Sequence, residues 1–241
     1  MEIKELIASL TPMEREALQN ELLKTARGVM YGTIEWEIRD KDGTLIRNGE
    51  QRSRSFVANL LRWLRRTGIT VGIIGSNNTE AWAGFSATEP VDTGGNARGV
   101  LVGKANGAVQ ITSCVCKLDG GSGDINSGLR VGRGVTPPTP TDPTLAIPCT
   151  EGTGENQFSH GTTTIDAILI AGNDVSLKII RVMSNNSAGT IIVSECGIFA
   201  QWCYTATTSA SFMLARDLIS PALSVPSGYT LTLRYILKTT V

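Results

Sequence analysis

A chain of 241 residues is long enough to bury a sizeable core, as one large β domain or two small ones. Its 22 basic and 22 acidic residues cancel, which removes the electrostatic case for a nucleic-acid partner, and no apolar run is long enough to cross a bilayer as a helix. Aromatic residues make up only 5% while Gly, Ser and Thr abound, which disfavours a helical bundle or a parallel sheet fed by helices and favours many short strands.

The first thirty residues carry the main helical signal. Ile3, Leu6, Ile7 and Leu10 recur at helical spacing. Thr11-Pro12-Met13-Glu14 then sets an N-cap, a first-turn proline and a glutamate at the capping-box position. A second helix follows, with Met13, Ala17, Leu18 and Leu22 on one stripe, Lys24 and Arg27 at the negative end of its dipole, and Gly28 as the stop. Such a stripe either folds back on its own domain or buries against a neighbour. The expectation is the second: Ile3, Leu6, Ile7, Leu10, Met13, Leu18 and Leu22 dock on another protein chain. This amino-terminal stretch is acidic and amphipathic, not basic and then apolar, so synthesis and use without secretion are expected.

From Ile34 the period changes to two, with Ile34, Trp36 and Ile38 on one face and Glu35, Glu37 and Arg39 on the other. Asp40-Lys41-Asp42-Gly43 turns the chain. It is read as a hairpin turn because the distal ligands of a calcium loop do not follow. Ser55 is placed to cap a helix near residues 55–66, in which Phe56, Leu60, Trp63 and Leu64 share a face that packs on the sheet. Arg62, Arg65 and Arg66 crowd its last turn, where cations favour the dipole.

Ile69 to Ile74 reads as a short strand, and Asn77 to Gly99 as a long polar excursion in which Trp82 and Phe85 either pin the loop or contact a sugar or partner. Val109 to Leu118 resumes the sheet and Asp119 to Asp124 turns it. Those glycines are not followed by a helix with Lys-Ser/Thr, so a phosphate loop is excluded. Pro137 to Pro148 reads as a loop anchored on a continuing sheet by Leu145-Ala146-Ile147, and Glu151 to Gly161 as a glycine-rich link. Ile165 to Ile170 and Val175 to Met183 make a hairpin across Ala171-Gly172-Asn173-Asp174. In the last fifty residues Ile191 to Phe199 and Phe212 to Leu237 read as a meander that Ser220-Pro221 and Val225-Pro226-Ser227-Gly228 break twice. The alternation of Leu231, Leu233 and Tyr235 marks its final strand.

Chemistry-bearing residues are sparse. Five cysteines cannot all pair within one chain; Cys114-Val115-Cys116 with Cys196 and Cys203 makes at most an unusual four-thiolate set, and buried reduced thiols are expected. No metal and no cofactor is expected. His160 is the only histidine, which excludes two-histidine metal sites, and it is read as a solvated loop residue. Asp166, Asp174, Glu195 and Asp217 are the acids available for glycoside cleavage, although Glu195 and Arg216-Asp217 are read as groups that tie strands together. Asn77-Asn78-Thr79 and Asn185-Asn186-Ser187 match glycan sequons, which carry no meaning without secretion.

Glu195-Cys196-Gly197-Ile198-Phe199, then Leu214-Ala215-Arg216-Asp217-Leu218-Ile219 and Val225 to Leu233, resemble the endings of tailed-bacteriophage virion proteins of the tail-collar and fibre-attachment type. Gly128 to Gly134, the Pro137-Pro138-Thr139-Pro140 loop, Thr144-Leu145, and the stretch from Asp42-Gly43 to Leu61 are similar to other parts of the same proteins. The resemblance implies a non-enzymatic virion protein in the tail, collar or baseplate, assembled in the host cytoplasm and acting through copies of itself and other virion proteins, with host-surface glycan as a further contact. It departs from fibre proteins in lacking distal shaft repeats, which keeps a capsid decoration or head-fibre protein in play; from another class, so do a carbohydrate-binding module and a tail-associated glycosidase. The expected fold is mainly β: an antiparallel β-sandwich over residues 31–241 carrying the helix near 55–66, preceded by a helical arm over residues 1–30.

Overall fold

The computed structural model describes residues 30–53, 55–56, 92–96, 117–203 and 209–240, and these form a mainly β protein with no helix among the described residues. Residues 1–28, the strand expected at 69–74, most of the excursion expected to carry Trp82 and Phe85 with both of those residues, most of the strand expected from Val109 to Leu118, and Cys114 and Cys116 lie outside the described residues.

Strands β1 (Met30–Arg39) and β2 (Leu45–Ser53) form the expected hairpin. Its turn closes because the Asp40 carboxylate accepts from the Asp42 and Thr44 amides and Gly43 takes a positive φ of 82°. After them come β3 (Gly128–Gly132), β4 (Thr150–Glu151), β5 (Gln157–Ile165), β6 (Leu169–Ala171), β7 (Asp174–Ser184), β8 (Ile191–Cys203), β9 (Ser209–Val225) and β10 (Thr230–Thr240). The larger sheet runs β2-β1-β10-β7-β5-β4, with β6 also on β7; the smaller runs β3-β8-β9. All neighbours are antiparallel except β4 and β5, which pair in parallel, so the larger sheet is mixed.

Period-two patterning puts three rows of side chains on one face of the larger sheet. Ile34, Tyr235 and Ile179 align across β1, β10 and β7; Trp36, Leu233 and Arg181 form the next row, ending on Thr163 of β5; Ile38, Leu231 and Met183 form the third, ending on His160. The residues of this face share one buried cluster with Leu129, Val131, Cys196, Ile198, Ala200 and Phe212 of the smaller sheet. On the opposite face of the smaller sheet, Phe199 and Met213 pack with Leu145 from the proline-rich loop, which is anchored as expected.

The structure refines several expectations. The helix expected near residues 55–66 lies outside the described residues beyond Phe56; of the two described, the Ser55 carbonyl accepts the Arg216 amide and Phe56 bridges Ala215, so they form an added edge on β9. As expected, the ladder is broken at Ser220-Pro221: the register jumps from Val193↔Leu223 to Glu195↔Leu218, so the residue without an N–H sits in a bulge where no ladder bond is asked of it, and β9 continues through it. The Glu151 to Gly161 link contains the start of β5, which pairs with β4. The hairpin expected from Ile165 to Ile170 forms with its first strand divided: Ile165 closes β5 opposite Ile179, and Leu169–Ala171 pairs with Asp174 to Ser176.

Candidate functional site

The residues that carried the resemblance converge on one buried carboxylate. Glu195 is fully buried on β8 beside Gly132 of β3. One of its oxygens accepts from the amides of Gly134 at 2.9 Å and Ile147 at 2.8 Å; the other accepts from the Ala146 amide at 3.1 Å and Arg216 Nε at 2.9 Å. Gly132 and Gly134 are glycines for a steric reason, since a Cβ on either would stand 2.5 Å from the Glu195 carboxylate. Arg216 then reaches the loop carbonyl of Thr136 at 2.9 Å and the carboxylate of Asp142 at 2.5 Å. Burial would raise the Asp142 carboxyl, but the Thr139 hydroxyl and amide and the Arg216 guanidinium outweigh it and hold it below its ordinary value. The array fastens the loop between β3 and β4 to the smaller sheet. With every Glu195 lone-pair direction taken by a protein donor, this acid is not placed to act on a substrate.

Two further buried polar groups are equally committed. Arg181 is fully buried and donates to five carbonyls: Nε to Gly161 at 2.8 Å, one terminal nitrogen to Ser127 at 3.3 Å and Leu129 at 3.0 Å, the other to Gly121 at 3.2 Å and Asp124 at 2.5 Å. It binds the 118–127 turn and β3 to the larger sheet. Asp217, on the inner face of β9, accepts from the Ser53 hydroxyl at 2.7 Å and the Tyr235 hydroxyl at 3.2 Å, and Ser53 also bonds Tyr235. Asp166 and Asp174 are exposed on the β5–β7 connection, away from both of those acids in the fold.

His160 overturns the expectation of a solvated loop residue. It lies in β5 at 2% exposure, because the parallel pairing of β4 brings Glu151 over it: one Glu151 oxygen accepts the His160 amide and faces Nδ1, both at 2.8 Å. Burial lowers the imidazole pKa below its ordinary value; Glu151 pulls it up and Arg181 pushes it down further, and burial prevails. The ring is therefore neutral, donating from Nδ1 to Glu151, and Nε2 has no hydrogen-bond partner. No serine hydroxyl meets that nitrogen, so the described residues contain no Ser-His-Asp relay through His160.

Cys149 and Cys196 are buried free thiols. The Cys149 thiol is pushed up to about 11, chiefly by burial, and that of Cys196 well above its ordinary value for the same reason, so neither is a ready nucleophile or ligand at neutral pH. Among the described residues no three potential ligand side chains come together as a metal set.

What the fold leaves uncommitted is apolar surface. Ile168, Leu169 and Ile170 are 65%, 63% and 70% exposed, with Ile165 and Val182 also open to solvent. Both faces of β6 are bare, and beside it Val175 and Leu177 of β7 are only half-buried, while Leu237 of β10 packs against the edge of the shared core. A run of three successive large aliphatics is neither a half-buried strand pattern nor turn chemistry, and that is the signal in the sequence that marks it. The expected contact residues Ile3, Leu6, Ile7, Leu10, Met13, Leu18, Leu22, Trp82 and Phe85 all lie outside the described residues. No family model, no curated protein and no solved structure matches this chain.

Proposed function

We propose that this protein is a non-enzymatic structural component of a tailed-phage virion, in the tail, collar or baseplate or at a fibre attachment, working through contacts with copies of itself and with neighbouring virion proteins. The observation that carries this reading is the bare apolar end of the larger sheet: an edge strand with large aliphatics on both faces is a surface that an assembled neighbour covers. Support comes also from the Glu195 array, into which the segments resembling tail proteins fold as scaffold parts. In this reading the two sheets, the larger one mixed instead of wholly antiparallel as expected, pack as a β-sandwich, and residues 1–28 are a helical arm that docks on another chain through Ile3, Leu6, Ile7, Leu10, Met13, Leu18 and Leu22.

The test is to raise antibody fragments against the folded chain and image labelled, purified particles by electron microscopy. Decoration of the tail, collar or baseplate at symmetric positions is expected. Particles that carry no label, and whose protein content lacks the chain by mass spectrometry, overturn the proposal.

A further inference from the structure

The ladder registers locate the root of the arm. Met30 opens β1 opposite Thr239 of β10; Thr239 pairs with Val175 of β7; and Val175 pairs with Ile170 of β6. One row on the inner face thus runs from the residue where the first thirty residues join the sheet to the exposed apolar hairpin. Three inter-strand steps of about 4.8 Å separate the two ends, roughly 14 Å. The adjacent row carries Gly32, Leu237 and Leu177; Leu237 packs against the core, so the open apolar strip is made by Ile170, Val175 and Leu177, with Leu237 at its inner edge. A helix of ten to twelve residues is about 15–18 Å long, which matches the strip.

We infer that this strip is the seat of residues 1–28, exchanged between copies: the arm of one chain lies on the strip of a second copy, whose own arm returns the contact. This rests on the reading of the arm as an assembly element and adds where it binds. An arm rooted beside its own receptor surface can make the same contact within one chain or across two, and reciprocal exchange closes a symmetric pair with both strips covered. The stripe of Ile3, Leu6, Ile7, Leu10, Met13, Leu18 and Leu22 supplies the aliphatic surface that the strip lacks.

The test uses the full-length chain with a photo-crosslinking benzoylphenylalanine at position 170, prepared as an equal mixture of ordinary and nitrogen-15-labelled protein. Ile170 is 70% exposed, so neither this change nor Ile170→Asp disturbs the folded core. Crosslinks from position 170 into residues 1–28, with mixed-isotope pairs, are expected. Ile170→Asp should weaken self-association about a hundred- to ten-thousandfold, the loss of one buried aliphatic on each of the two strips. Same-isotope pairs alone overturn the exchange, and crosslinks elsewhere, or none, overturn the seat. A chain lacking residues 1–28 separates the two claims: if it still self-associates as the intact chain does, the arm is not an assembly element; if it does not, while position 170 crosslinks elsewhere, only the seat is wrong.

Discussion

Arg181 uses all five N–H groups on backbone carbonyls that belong to three separate stretches of chain, so its guanidinium acts as a bracket between the sheets and not as half of a surface ion pair. Lysine keeps the charge but offers three donors on one nitrogen, which leaves carbonyls unpaired in the interior. Arg181→Lys should lower the unfolding free energy by about 2–5 kcal/mol, read from urea denaturation. His160 makes a pH prediction. Its folded pKa lies below the unfolded value of about 6.5, so between those two values the unfolded chain binds the extra proton. The contribution is therefore present above about pH 6.5 and lost as pH falls through the slightly acidic range towards the folded value. Urea midpoints at pH 7.5 and 5.5 should differ more in the parent protein than in His160→Gln. An equal difference in both would show that the imidazole stays solvated or charged.

At the scale of elements, the loop between β3 and β4 is held by one carboxylate. Glu195→Ala leaves three amides without an acceptor and takes from Arg216 one of its two carboxylate partners, inside the protein. Breaking a buried pair of this kind costs about 3–5 kcal/mol. Limited proteolysis followed by mass spectrometry should find the first new cuts between residues 135 and 147. Gly128 is a second control point, where β3 leaves the preceding turn with φ of 84° and a Cβ would stand 2.1 Å from Thr163 Oγ1. Gly128→Ala is expected to cost at least about 1–3 kcal/mol from strain alone, and a neutral result in thermal denaturation would mean that β3 meets the larger sheet differently.

For the whole molecule, the two sheets share one buried core among the described residues. With residues 1–28 acting as a docking arm, as proposed, deleting them should shift the thermal midpoint by no more than a few degrees while abolishing self-association in analytical ultracentrifugation. If the arm instead completed the core of its own chain, each large aliphatic it buries would be worth about 1.5–3 kcal/mol, and the truncated chain would melt far earlier or fail to fold.

What could be read from the sequence was local. The alternation of Ile34, Trp36 and Ile38 and of Leu231, Leu233 and Tyr235 marked two strands and their buried faces, and Asp40 to Gly43 and Val225 to Gly228 marked turns, because side-chain period and turn chemistry are set by the backbone within a few residues. The tie between Glu195 and Arg216 was also legible, since both stand in otherwise apolar strands. The fate of the other polar groups was not. His160 looked solvated because Glu151 reaches it only through the parallel β4–β5 pairing, and the steric need for glycine at 132 and 134 exists only because the Glu195 carboxylate lies against them. Arg181 stands in a strand whose neighbours give no hint of five carbonyls arriving from residues 20 to 60 positions away. Burying a charge or an imidazole is tolerated only when distant chain supplies its partners, so that decision belongs to the tertiary structure. The same holds for the bare hairpin: Ile165 to Ile170 reads as one of its strands, and that Ile168, Leu169 and Ile170 stay uncovered is decided by how the sheets pack.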